Sequence, residues 1–268
     1  MPTLLINHMR IHYRNQGDRQ SPALILVHGL GCSLEYWNCL FESEDFSAYR
    51  LIAFDLPGFG LSEKPNCYDY RLSSQAELIA ECLQALDIHK FRLVGHSMGG
   101  AIAILLAHTL PRQVRHLVTI EPNLEACKAQ LSRQIVEYTE AQFIQEYERF
   151  QDTAIATVKS WFVNFQQANL DEYIDALLKT TAISMYRSAV SLIETTQGNT
   201  LMRHFQGLTL PKHFFIGEET HKIRPIPQAV QDSDIHTVVV PGAGHMMMVD
   251  HPVVFTQTLA SALHTHIE

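Results

Sequence analysis

Gly95-His96-Ser97-Met98-Gly99 places a hydroxyl nucleophile between two glycines, where an apolar run, Phe91 to Val94, meets a helical pattern, Ala101 to Leu110. A serine hydroxyl attacks well only when a base takes its proton and a sharp turn exposes it. The glycines suit such a turn, because a strained serine backbone leaves no room for Cβ atoms at Gly95 and Gly99. The helix that follows aims its free N–H groups at the same point, which favours developing negative charge there.

The chain holds fifteen histidines, so a general base has to be selected by position. His245 follows an apolar pattern, Val238 to Val240, and the loop Pro241-Gly242-Ala243-Gly244, which can bring an imidazole back over Ser97. It would accept the serine proton and return it to the leaving group. His96 reads as part of the turn's scaffold. No H-E-x-x-H pattern supports a metal, and neither metal nor cofactor is expected.

An imidazole in this role needs a carboxylate behind it, and two places offer one. Glu121 directly follows the strand pattern Val114 to Ile120, and Pro122 biases it toward an extended backbone at the carboxyl edge, where α/β sheets build their sites. Glu218 and Glu219 stand after the later strand pattern Lys212 to Ile216. Glu121 is the favoured acid, although an acidic residue there would also suit the start of a helix.

His28-Gly29-Leu30-Gly31, Asp55-x-x-Gly58-x-Gly60-x-Ser62, Gly95-x-Ser97-x-Gly99 and Gly242-Ala-Gly-His245 follow one another in the order found in the α/β-hydrolase superfamily. On these motifs the chain resembles a serine-nucleophile, cap-bearing, esterase- or lipase-like member. The resemblance implies an oxyanion hole made by the backbone N–H groups of Leu30 and Met98, each such donor being worth about 3 kcal/mol of barrier. It also exposes a departure: most relatives put an Asp three residues beyond the glycine ending the seventh strand. Here that glycine is Gly217 and the position is Thr220, which cannot hold an imidazolium by charge. Some relatives, the haloalkane dehalogenases among them, place the acid after the earlier strand, as Glu121 is placed.

Serine at the turn disfavours dehalogenase and epoxide-hydrolase chemistry, which in this superfamily proceeds through an alkyl ester on aspartate. The resemblance therefore implies hydrolysis of a small or medium carboxylic ester, or a related acyl bond, with a small-molecule acyl substrate as partner. A triad-bearing carbon–carbon or elimination lyase and a non-turnover ligand receptor are the alternatives.

The elements that must position these residues are legible in the same way. Leu4 to Ile6 and Ile11 to Tyr13 read as a hairpin, and Ala23 to Val27 and Leu51 to Phe54 as buried strands. Ser73 to Leu86 has helical spacing, with Ser73 or Ser74 as N-cap. Strands separated by helices imply an α/β fold with a mostly parallel twisted sheet of about eight strands flanked by helices. Punctuation then changes: no glycine occurs between Gly100 and Gly198 and no proline between Pro122 and Pro211. Residues 123–205 are expected to be a helical cap insertion in a core formed by 1–122 and 206–268. Within it Ile155, Val158, Phe162 and Phe165 share one helical face, and Leu170, Ile174 and Leu177 another. Trp161, Phe162, Phe165, Tyr173 and Tyr186 could line an apolar site, and Met246, Met247 and Met248 could add a soft wall. Packing in the core explains each of them equally well.

Bulk properties narrow the class further. With 268 residues, 46% apolar and 18% charged, the chain can bury a full core, and disorder is excluded. No apolar run approaches the roughly 18 residues of a membrane span, and Met1 to His12 shows no signal-peptide core, so a cytoplasmic protein is expected. A net charge of −8 without clustered Lys or Arg argues against a nucleic-acid partner. Cys32, Cys39, Cys67, Cys82 and Cys127 are odd in number and scattered, as reduced thiols would be. Nothing in the sequence specifies an oligomeric state.

Overall fold

A computed structural model describes residues 2–125 and 129–264; Cys127 lies outside the described residues. The strands are β1 (Thr3–Ile6), β2 (Met9–Gln16), β3 (Ala23–Val27), β4 (Arg50–Phe54), β5 (Phe91–His96), β6 (Val114–Ile120), β7 (Lys212–Gly217) and β8 (His236–Val240). They form one eight-stranded sheet in the order β1-β2-β4-β3-β5-β6-β7-β8. β2 runs antiparallel to both neighbours, and the pairs from β4 onward are parallel.

The β1–β2 hairpin pairs Ile6 with Met9 and turns through Asn7 and His8, whose φ angles of +50° and +64° are those of the mirror-image turns that match strand twist. β3 and β4 are buried along their whole length, and apart from Arg50 at the start of β4 both are continuous apolar runs, as strands covered on both faces are. The helix Met98–Thr109, almost wholly buried, packs against β5 and β6. No helix among the described residues is long and apolar enough to cross a membrane.

Several element ends differ from the sequence reading. The helix expected from Ser73 runs Leu72–Ala85, and neither serine caps it. The N-cap position is Arg71, and Asp69 before it accepts from the Arg71 N–H and the Ser74 hydroxyl, both at 2.9 Å. Ile155 and Val158 lie in the helix Tyr147–Lys159, but Phe162 and Phe165 fall beyond its end. There the N–H groups of Val163 and Asn164 donate to the two Asp250 oxygens, at 2.7 and 2.6 Å, so the backbone leaves the helix for a carboxylate. Leu170, Ile174 and Leu177 do share the helix Gln167–Leu178.

Between β6 and β7 the chain forms a succession of helices, from Gln130–Ile135 to Thr200–Gly207. Thr139 and Thr181 start two of them with reciprocal capping boxes. Ser184 ties the helix Ala182–Thr196 to the core through a 3.0 Å bond to the Gly58 carbonyl, and the Leu72 N–H donates to Ser191 at 3.0 Å. Cys32, Cys39, Cys67 and Cys82 are free thiols. Burial pushes the Cys32 thiol up, and Cys39 and Cys82 to about 12, so all three stay protonated near neutrality.

Candidate active site

Ser97 stands at the carboxyl end of β5 with φ +54° and ψ −119°, a left-handed conformation that strains a non-glycine residue. The turn closes only because its neighbours are small. A Cβ on Gly99 would run into the Val27 and His28 carbonyls, and one on Gly95 into the Gly99 carbonyl. Gly29, in the loop after β3, approaches so closely that its Cβ would lie 3.2 Å from Ser97 Cβ. That contact brings the Leu30 backbone beside the nucleophile, and Met98, as the first helical residue, has an N–H without an intrahelical acceptor.

The loop after β3 is held from two sides. Asp55, at the end of β4, accepts from Leu34 N–H and from Leu61 N–H, each at 2.8 Å, and contacts His12 at 2.7 Å. His28 donates from Nδ1 to the Gly29 carbonyl at 2.8 Å and accepts at Nε2 from Leu56 N–H at 3.1 Å. An imidazole with one donating and one accepting nitrogen is neutral. Complete burial accordingly lowers the His28 pKa against the pull of Asp55.

His245 is carried by the loop after β8, and its Nδ1 lies 2.7 Å from Glu121 Oε2. The other Glu121 oxygen accepts from Gly217 N–H at 2.9 Å, and Thr220 donates to the same carboxylate. Burial by itself would raise the Glu121 pKa, but these bonds and the His245 charge outweigh it and hold the carboxyl below its ordinary 4.5. The expectation of an extended Glu121 is corrected: its φ is +42°, in the left-handed region. Its N–H still completes the β6–β7 ladder on the Phe215 carbonyl at 2.9 Å, and the chain turns immediately afterwards, which throws the carboxylate across the ends of β6 and β7 toward His245.

Glu218 and Glu219 have other partners. Glu218 accepts from Gly242 N–H at 2.8 Å, and Glu219 pairs with Lys222 at 2.6 Å. Thr220, where an acid was missed in the sequence, supports Glu121 from beneath.

Three contacts were not foreseen. The Ser97 hydroxyl donates to Asn123 Oδ1 at 3.2 Å. His96 Nε2 lies 3.0 Å from the His245 carbonyl and braces that loop, and burial lowers its pKa well below 6.5. The Trp161 ring meets the His245 ring edge-on at 5.0 Å. Only side-chain placement reveals these contacts; no spacing in the sequence marks them.

Ser97, His245, Leu30 and Asn123 open into one cavity of about 280 Å³. Its walls are mostly apolar and include Leu131, Trp161, Phe162, Tyr173, Leu192 and Met246. Phe165, Tyr186, Met247 and Met248 do not line it. Tyr186 donates to the Tyr138 carbonyl at 3.0 Å, and both methionines are buried in the core.

Comparison with known proteins gives the same frame. The family model described as alpha/beta hydrolase fold matches residues 22–252. A Bacillus subtilis protein provisionally named a 2-succinyl-6-hydroxy-2,4-cyclohexadiene-1-carboxylate synthase is 28% identical, over 95% of this chain and 95% of that one. Epoxide hydrolase 4 of Homo sapiens is 35% identical over 42% of this chain and 31% of its own, so the chain spans about a third of that relative. The enol-lactonase structure from Burkholderia xenovorans superposes with a TM-score of 0.81 at 17% identity, over 98% of this chain and all of that one, a likeness of fold.

Proposed function

The chain belongs to the α/β-hydrolase family, and from that premise we propose that it is a serine hydrolase cleaving a small or medium carboxylic ester, or a related acyl bond. The observation that carries the reading is the His245–Glu121 bond, with His245 and Ser97 facing one cavity.

In this mechanism the Ser97 hydroxyl turns from Asn123 to His245 Nε2 and gives up its proton as Oγ attacks the ester carbonyl. Glu121 keeps the Nδ1 proton on the opposite side of the ring and stabilises the imidazolium. The N–H groups of Leu30 and Met98 hold the tetrahedral oxyanion. His245 returns the proton to the departing alcohol, leaving an acyl group on Ser97. Water, deprotonated by His245, then attacks that acyl carbon and releases the acid. Residues 123–205 act as a cap over the nucleophile, and Leu131, Phe162 and Leu192 supply the apolar wall for the acyl chain. Such a volume suits a short or medium chain.

Initial rates with p-nitrophenyl acyl esters of increasing length, wild type against Ser97→Ala, test this. Turnover by wild type and its loss in the variant support the reading. Absence of turnover with every ester overturns it.

A second reading has one observation behind it: the relative matched over nearly its whole length is named a synthase, not a hydrolase. The same Ser–His pair would then abstract a proton. A Ser97 that is labelled by a fluorophosphonate while no ester is turned over would favour that reading.

A further inference from the structure

Arg224 is half-buried on the wall of the cavity that holds Ser97 and His245, and it is the one Lys or Arg on that wall among the described residues. In a chain with 28 acidic and 20 basic side chains, a guanidinium so placed would be expected to meet a carboxylate. Among the described residues its side chain makes neither an ion pair nor a hydrogen bond. Both acids on the cavity wall are occupied: Glu121 by His245 and Gly217, and Glu219 by Lys222.

The backbone of the arginine is also held. It ends the helix Glu218–Ile223, its N–H donates to the Thr220 carbonyl at 2.8 Å, and Pro225 and Pro227 fix the backbone after it. Thr220 in turn holds Glu121, so the Arg224 backbone is tied through one residue to the carboxylate behind His245. The same cavity is lined by apolar side chains, among them Phe162, Val163 and Ile223. A planar fork of donors on the wall of a mostly apolar cavity matches a carboxylate held bidentately, and a partly desolvated site strengthens that bond. Among the described residues the wall offers this one permanent cation, which balances a monoanion.

We propose that Arg224 is a carboxylate-binding subsite, and that the preferred substrates are esters carrying a free carboxylate across an apolar spacer from the scissile bond. The inference rests on the hydrolase reading above and adds the substrate class to it.

Two neutral–anionic pairs test it, with released acid titrated directly. Methyl hexanoate against monomethyl adipate puts the carboxylate on the acyl side, and phenyl acetate against 4-acetoxybenzoate puts it on the alcohol side. In wild type, kcat/KM for the anionic member of one pair should exceed that for its neutral partner by about tenfold or more, the scale of a charge-assisted bond. In Arg224→Gln that ratio should collapse toward one, and Arg224→Lys should keep part of it. Equal rates within both pairs in wild type, or a ratio that survives in Arg224→Gln, would overturn the proposal. If no ester is turned over, the hydrolase reading fails, and calorimetric titration of Ser97→Ala with the same four compounds reads the subsite by itself. Selective binding of an anionic member that is lost in the Ser97→Ala, Arg224→Gln double variant upholds the subsite; equal or absent binding removes it.

Discussion

Glu121 and His245, 124 positions apart in the chain, meet at 2.7 Å across the carboxyl ends of β6 and β8. Neither Glu218 nor Glu219 reaches the imidazole, although both lie nearer in sequence to where the acid of most relatives stands. Glu121→Gln removes the charge while keeping the shape. We expect ester turnover to fall by roughly 10³–10⁴-fold, as a triad does when its acid becomes an amide. Glu219→Gln removes only an exposed pair with Lys222 and should change kcat little. Steady-state kinetics of the two variants decide it; the reverse ranking would move the acid to the later loop.

Ser97, His245 and the strand ends that carry them are legible because a glycine-flanked turn and a continuous apolar run are local patterns. Glu121 was reached as one of several carboxylates, since its partner is set by a turn after β6 that propensity does not encode. The left-handed φ of Glu121 went against the expectation drawn from Pro122, because bonds to Phe215, Gly217 and His245 outweigh a local bias. Asn123 and Asp250 went unread for the same reason: each acts through a contact distant in sequence. The misplaced helix end at Phe162 and Phe165 follows directly from Asp250.

Two glycines with opposite surroundings give a stability test. Gly99→Ala drives a methyl group into the Val27 and His28 carbonyls, backbone atoms at the end of β3 that cannot yield cheaply. A loss of about 3 kcal/mol or more and a poor soluble yield are expected. Gly207 ends the helix Thr200–Gly207, and a Cβ there meets nothing within 4 Å. Gly207→Ala should gain up to about 1 kcal/mol from reduced backbone entropy in the unfolded chain. Thermal melts of both proteins check the contrast.

Tyr173 is buried with a hydroxyl that has no hydrogen-bond partner among the described residues, against the loop of Gly31 and on the cavity wall. Tyr147, on a neighbouring helix, bonds the Thr180 hydroxyl. Removing an unsatisfied hydroxyl relieves a desolvation cost of about 1–3 kcal/mol, whereas removing a satisfied one loses about 1 kcal/mol. Tyr173→Phe is therefore expected to leave Tm unchanged or raise it, and Tyr147→Phe to lower it. A lowered Tm in Tyr173→Phe would mean that its hydroxyl is satisfied by the folded protein after all.

Glu172 supplies the clearest pH dependence. Burial, followed by the charges of Glu35, Glu42 and Asp175, pushes its carboxyl up to about 7, and one of its oxygens is buried without a partner among the described residues. Between its ordinary 4.5 and about 7, the folded chain keeps a proton that the unfolded chain has already released. Folding is thus favoured by this group at the acidic end of that window and loses the contribution as pH rises through it. Above about 7 the folded protein holds a partly desolvated carboxylate among like charges. Glu172→Gln mimics the protonated form at every pH. Its Tm should match wild type near pH 5 and exceed it by a few degrees near pH 8, about 2–4 °C for each kcal/mol in a chain of this size. Partial exposure to solvent keeps the gain toward the lower end of that range. Scanning calorimetry across the window reads the difference directly, and a gain that is constant with pH would trace the effect to packing instead of ionisation.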